Sequence, residues 1–516
     1  MRPPRQTPSM LVACALALLL FVLPAHAQKK GGDVVIAQQA QPPTLDAMTT
    51  SAQASRNITL HIFETLVARD EKAAPIPDLA ESFTVSNDGL VYTFKLRQGV
   101  KFHNGKEMTA ADVKASLERY AKVGATTQLM KPVDAMVADG PYTLAVKLKT
   151  PVPGFIEQIS SPRAPAVIIP AEEAGKDANK IELIGTGPYQ FVEFAPDSHV
   201  KLKRFEAYVP NPNYPARDGF GGRKTPYFDT LTFRFMPEGG ARASALETGE
   251  VQVLEQLPPP AARRLKDNPD IRAYEMIPWA FQTLFFNASL PPTNNLKVRE
   301  AIQVALDMDE IMAISTDGLY RLSHGWQHLE NAYFAGDVGK EFYNLHDAER
   351  AKKLLAESGY KGEELIILTD NSFKNHNDTA VVVGEQLKAI GMNVKINVVD
   401  WPTAMAARTK PEGWNAWTLM MGIEPYEGPY GVAGVFVGEK NFQLARDEVL
   451  ETFNQALNTG ADLAARKQAF ADFQKRLYEQ FYAVKIGDVG IYQATRANVM
   501  NYKPYRIPRM WDVWFE

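Results

Sequence analysis

The sequence predicts a mixed α/β protein of two or three domains, on three observations. Its 516 residues exceed the roughly 100–200 that one domain usually holds. Alternating apolar stretches interrupted by Asp88-Gly89 and Asn104-Gly105 predict antiparallel hairpins. From about residue 290, helical and extended patterns alternate, which predicts a right-handed βαβ unit and a parallel sheet.

The chain opens with Arg2 and Arg5, an unbroken apolar run of 14 residues from Met10 to Leu23, and Ala25-His26-Ala27. A positive start, a short apolar core and a small-x-small motif predict an export signal over 1–27, cleaved after Ala27. The run is too short for a bilayer, which needs about 20 apolar residues. Leu11-Val12-Ala13-Cys14 lacks the upstream apolar run of a lipoprotein box, so a soluble periplasmic product is expected. Cys14 is the single cysteine, which excludes a disulfide framework and any CxxC metal or redox site. A mature chain without thiols suits an oxidising compartment.

After the signal, Val34-Val35-Ile36-Ala37 reads as a strand and Gln41 to Asp46 as a polar, proline-bearing loop. Asn57 to Leu66 carries apolar residues at 58, 62, 63 and 66, the spacing of a short helix. Phe83 and Val85, then Tyr92, Phe94 and Leu96, alternate about Asp88-Gly89, where glycine admits a positive φ. Val100 and Phe102 before Asn104-Gly105 repeat the device. Thr109 and Asp112 form a capping-box pattern opening a helix through Tyr120. Later, Val298, Ala301, Ile302, Ala305 and Leu306 share one helical face. Asp347 can cap a helix stopped by Gly359. Leu365–Leu368 and Val394–Val399 read as strands around a helix from Ala380 to Ile390, ended by Gly391.

Composition and motifs exclude several functions. With 45% hydrophobic and 22% charged residues the chain is an ordinary globular protein, and a net charge of −4 does not favour nucleic acid. There is no GxSxG, HExxH, Walker loop or EF-hand loop. Gly185-Thr186-Gly187 lacks the third glycine of a dinucleotide fingerprint. His324 and His328 could share a helical face as metal ligands, but read as polar surface residues around Trp326. No catalytic group, metal or cofactor is expected.

Several segments in order carry a family resemblance. They are Leu79-Ala80-Glu81-Ser82-Phe83, Asp88-Gly89-Leu90, Tyr92-Thr93-Phe94-Lys95-Leu96-Arg97, and Gly99 to Gly105 running into Thr109-Ala110-Ala111-Asp112-Val113. Gly185-Thr186-Gly187-Pro188-Tyr189, Leu246-Glu247-Thr248-Gly249-Glu250-Val251, and Phe286-Asn287 before Val298-Arg299-Glu300-Ala301 follow. Together they resemble the family 5 extracellular solute-binding proteins of ABC importers, the oligopeptide-, dipeptide- and nickel-binding group. The resemblance implies an α/β, two-lobe periplasmic-binding-protein fold with an extra domain inserted in the N-terminal lobe. It implies an N-terminal lobe of 28–56, 184–272 and 482–516, an inserted domain of 57–183 and a second lobe of 273–481. It also implies a monomer that closes on its ligand and is recognised by an ABC transporter permease in the inner membrane.

The same resemblance nominates ligand-binding residues. Trp401, directly after a strand end, matches a tryptophan that lines the cleft in peptide-binding relatives, and Arg408 matches an arginine that can meet peptide carboxylate or backbone. Aligned without gaps from Trp401, Glu424 falls where those relatives carry the aspartate that pairs with the peptide's α-ammonium, a job a carboxylate suits. Met421 and Tyr426 flank it; Thr418 and Met421 depart from the arginine and tryptophan of relatives, which leaves ordinary di- or tripeptide recognition open. In the expected crossing between lobes, Ile277 to Gln282, alternate side chains should face the cleft, nominating Trp279 and Phe281. Thr44 and Gln39 in the first loop are further candidates. Core packing is the alternative for each aromatic residue, and a solvated charge for Arg408 and Glu424.

A periplasmic binding protein for a peptide or peptide-like solute is therefore expected. A binder of a nickel chelate, opine or other small organic is the alternative within the class. A secreted hydrolase is the alternative outside it and would need a nucleophile or metal in the cleft. A periplasmic chaperone or sensory receptor could use the same scaffold.

Overall fold

The computed structural model describes residues 28–371, 373–422, 424, 428–439 and 441–516, with Pro402 described by its backbone alone. The expected export signal and Tyr426 lie outside the described residues. Among the described residues, eleven strands form one large sheet and four form a separate antiparallel sheet.

The large sheet is organised by two long antiparallel strands, Ile271–Phe286 and Ala483–Arg496. At one end, Ile271 to Met276 pairs with Arg496 to Ile491, beside the strand Val253–Leu257. Beyond it lies the parallel pair Asp33–Gln38 and Thr230–Phe235. At the other end, Ala280 to Phe285 pairs with Val489 to Ala483, and the strand Ala416–Met421 continues the sheet. The expected βαβ unit attaches here: Glu364–Asp370 and Asn393–Val399 run parallel, joined by the helix Lys374–Ala389. The joining helix packs against both strands, and Leu365, Ile367 and Leu368 of the inner one are buried.

The cores follow the same division. Val34, Ile36, Leu231 and Phe233 of the first half join Phe94, Leu144 and Val146 of the four-stranded sheet in one buried cluster. Leu284, Ile302, Leu365 and Leu387 form a second, and Trp326, Trp414, Trp417 and Phe436 an aromatic third. The small sheet is ordered Ala80–Val85, Val91–Leu96, Thr143–Leu148, Val133–Ala138. Its first turn is the expected hairpin: Gly89 has φ 70° and donates to Ser86 O at 2.8 Å. Asn104-Gly105 makes a turn closed by a single bridge between Lys101 and Glu107, because the chain enters a helix at Ala110. That helix runs to Val123, with Asp112 accepting from the Thr109 amide at 2.9 Å. Buried Arg119 on it pairs with Asp46 at 2.6 Å, tying the first loop to the small-sheet region.

Two expectations need correcting. The first helix spans Gln53–Ile62 rather than 57–66, so the boundary proposed at 56/57 falls inside it. Its polar residues Ser55, Arg56, Asn57 and Thr59 are all buried, which erases the apolar periodicity that would have marked its start. His324 and His328 are buried rather than at the surface. His324 bonds the Gly336 carbonyl at 2.7 Å, and the His328 ring lies 3.7 Å from Asp488. Among the described residues no group of three potential metal ligands converges.

Gly185 and Gly187 serve close packing. The Gly187 amide donates to Ile62 O at 2.9 Å at the end of the first helix, and a Cβ on Gly185 would run into that same carbonyl. Gly185→Ala should therefore destabilise the fold by about 1–3 kcal/mol, read as a lowered midpoint of urea unfolding.

Candidate functional site

The pairing of the two long strands breaks between Met276 and Ala280. A bulge takes residues out of the ladder and re-aims their side chains, and here it frees Pro278 and Trp279 to line a cavity of about 410 Å³. A volume of that size is typical of small-molecule and short-peptide pockets. The cavity lies where the halves of the sheet meet. The hairpin Val67–Arg69/Pro75–Pro77 and the C-terminal segment at Tyr505 and Arg506 wall one side. Glu330, Tyr333 and Gly428 wall the other, and Glu157 closes one edge.

Charge is dense in these walls. Glu71 pairs with Arg509 at 2.7 Å, and Glu330 with Arg321 at 2.5 and 3.1 Å. Arg321 in turn reaches buried Asp488 at 2.8 Å, which is held by buried Lys485 at 2.9 Å. The Arg506 guanidinium carbon lies over the Trp279 ring, 3.8 Å from its centroid, and the side chain donates to the Trp279 carbonyl at 2.5 Å. This combines cation–π attraction with a charge-assisted hydrogen bond.

Two ion pairs bridge the walls. Glu157, on the short helix Phe155–Ile159, meets Arg466 of the helix Leu463–Gln480 at 3.2 Å. Behind Arg506, buried Glu424 accepts from Arg56 of the first helix at 2.5 and 2.9 Å, and Arg506 Nε stands 3.4 Å away. Burial pushes the Glu424 carboxyl up, but the Arg56 and Arg506 guanidiniums outweigh burial and hold it at about 2. Glu424 is thus an ionised carboxylate with arginines from distant parts of the chain around it.

The nominated residues are distributed unevenly about this cavity. Trp279 lines it. Glu424 touches its wall through Arg506. Phe281 is fully buried, its ring 4.5 Å from that of His328 and 4.4 Å from Lys485 Nζ. Met421 is buried opposite it in the neighbouring strand. Trp401 opens the helix Trp401–Ala407 and packs against Phe373 and His376. The Arg408 guanidinium sits 4.3 Å from the centre of Phe442 and 5.4 Å from that of Trp417. Thr44 donates to Asn179 Oδ1 at 2.6 Å, and the Gln39 amide donates to Glu255 at 3.2 Å. Arg56, Glu157, Arg466, Glu330 and Arg506 were not nominated. They come from five well-separated stretches with no shared motif; a buried polar run in the first helix was the nearest thing to a signal.

Comparison with known proteins places this architecture. The model of the bacterial extracellular solute-binding proteins, family 5, matches residues 74–443. The chain belongs to this family. It is 26% identical over 466 residues to the oligopeptide-binding protein AppA of Bacillus subtilis, covering 81% of each chain. It is 25% identical over 484 residues to the probable peptide ABC transporter periplasmic-binding protein y4tO of Sinorhizobium fredii, covering 91% of each. In fold it is similar to NikA of Brucella suis in complex with Fe(III)-EDTA, with TM-score 0.83 and 21% identity, over 94% of this chain and all of that one. The α/β two-lobe fold of this family is the one seen here.

The buried bridge makes two predictions. Arg56→Gln leaves Glu424 without its bidentate partner and should cost about 3–5 kcal/mol in chemical denaturation. The second concerns pH. Because the unfolded carboxyl titrates at its ordinary 4.5 and the folded one at about 2, the bridge contributes fully above 4.5 and is lost as pH falls towards 2. Melting temperature should fall across that window in the native protein and fall less steeply in Glu424→Gln.

Proposed function

We propose that the protein captures a peptide or peptide-like solute in the cavity between its lobes, in the periplasm, and delivers it to an ABC transporter permease in the inner membrane. The observation that carries this reading is a cavity whose opposite walls belong to different lobes and are joined by ion pairs. A solute that touches both walls binds the closed arrangement more tightly than the open one, so it shifts the equilibrium by that difference. Binding, closure and release need no covalent step, in keeping with a family of binding proteins. The peptide class is supported by the relatives named as oligopeptide- and peptide-binding. Export is supported by the signal pattern over 1–27.

In this reading Glu424 bridges the lobes rather than receiving the solute's amine, since its oxygens already accept from Arg56. Trp279, stacked on Arg506, presents the aromatic surface against which the solute packs.

Native mass spectrometry of the purified mature protein, followed by denaturation, tests the proposal. A set of peptide masses released on denaturation is expected; one discrete non-peptide mass would move the assignment to a chelate, opine or other small organic. Trp279→Ala should weaken binding of the released solute about tenfold in calorimetry, the loss of about 1–1.5 kcal/mol of aromatic contact.

A further inference from the structure

The carboxylates and cations of the cavity wall are not balanced alike. Glu71, Glu157 and Glu330 each have an arginine of their own, Arg509, Arg466 and Arg321. On the hairpin that walls the first lobe the situation is reversed. Arg69 is 5% exposed and donates to two carbonyls, Ala73 O at 2.6 Å and Glu157 O, while its Nε is buried without a hydrogen-bond partner. Among the described residues no carboxylate comes within ion-pair distance of it. The nearby Asp70 carboxylate is turned into the hairpin, accepting from the amides of Lys72 and Ala74 at 2.8 and 2.7 Å. Three residues on, Lys72 is exposed at the same wall, and its ammonium makes no ion pair with a described residue.

A buried guanidinium that meets only carbonyls is a poorly compensated charge. Burial accordingly lowers Arg69 to about 10, against the opposing pull of Glu157 and Asp70. The field it sets up falls on the cavity, where water is partly excluded and charges act strongly. An ammonium on a flexible stem beside it can follow a ligand group into place.

We infer that the cavity takes an anionic group of the solute, a carboxylate, at the hairpin carrying Arg69 and Lys72, and that these two residues select acidic solutes over neutral and basic ones. Lys72 donates to the carboxylate, and Arg69 supplies the fixed positive field behind it. This inference rests on the proposed solute-binding reading and narrows its ligand class.

Calorimetric titration with three matched tripeptides, Ala-Glu-Ala, Ala-Gln-Ala and Ala-Lys-Ala, together with glutarate and its uncharged analogue glutaramide, tests it. The acidic tripeptide is expected to bind at least about tenfold more tightly than the amide, the ratio one charge-assisted contact supplies. Lys72→Gln should narrow that ratio at least about threefold. Arg69→Gln should narrow it too, and a melting curve shows whether that variant, which loses two carbonyl contacts, is folded; Lys72→Gln carries the test if it is not. Equal affinity for the three peptides, or preference for Ala-Lys-Ala, overturns the inference while leaving the peptide reading standing. Binding of glutarate over glutaramide with no peptide bound upholds the inference and overturns the peptide reading. Binding of none of the five overturns both.

Discussion

The pairing of Ile271–Phe286 with Ala483–Arg496 is the constraint on which the remaining structure depends. Each strand is long enough to serve a different lobe at either end, so the backbone hydrogen bonds of both lobes run through one ladder. A ladder continuous over such a length would leave no room between the lobes. Its break between Met276 and Ala280 makes that room and turns Trp279 into it. The cavity and its aromatic wall thus come from one local irregularity.

Around that break charged pairs join the lobes. The hydrophobic clusters stay on their own sides, with Phe94 and Leu231 in one and Leu284 and Leu365 in another. What crosses between them are arginine–carboxylate pairs, Arg56 with Glu424 and Arg466 with Glu157. A continuous apolar seam would weld the lobes shut, since burial of apolar area is favourable without regard to direction. Ion pairs can exchange their partners for water at modest net change, which suits an interface that must open to load and release a solute.

The sequence was most legible where a short-range rule decides the outcome. Asp88-Gly89 between alternating strands, the Thr109/Asp112 cap, Asp347 with Gly359, and the strand–helix–strand over 364–399 all appear where their local chemistry places them. The motif order was sufficient to assign the family, which covers most of the chain. The first helix was misjudged because its buried polar face hides the period, and His324 and His328 because a buried histidine and an exposed one look alike in sequence.

The site was legible only in part. Trp279 could be nominated because strand alternation and a crossing segment are local facts, and Glu424 because a gapless register from Trp401 reaches it. Its partner could not, since 368 positions separate Arg56 from Glu424 and a charge's partner depends on which surfaces the fold brings together. By itself the sequence determined the α/β class, the family, and those strands, turns and helices whose period or capping is plain, because propensity, periodicity and turn chemistry act over a few residues. Only the tertiary structure decided which carboxylates are neutralised and which cations, Arg69 and Lys72, keep their charge for the cavity. Electrostatic pairing acts through space between groups far apart along the chain.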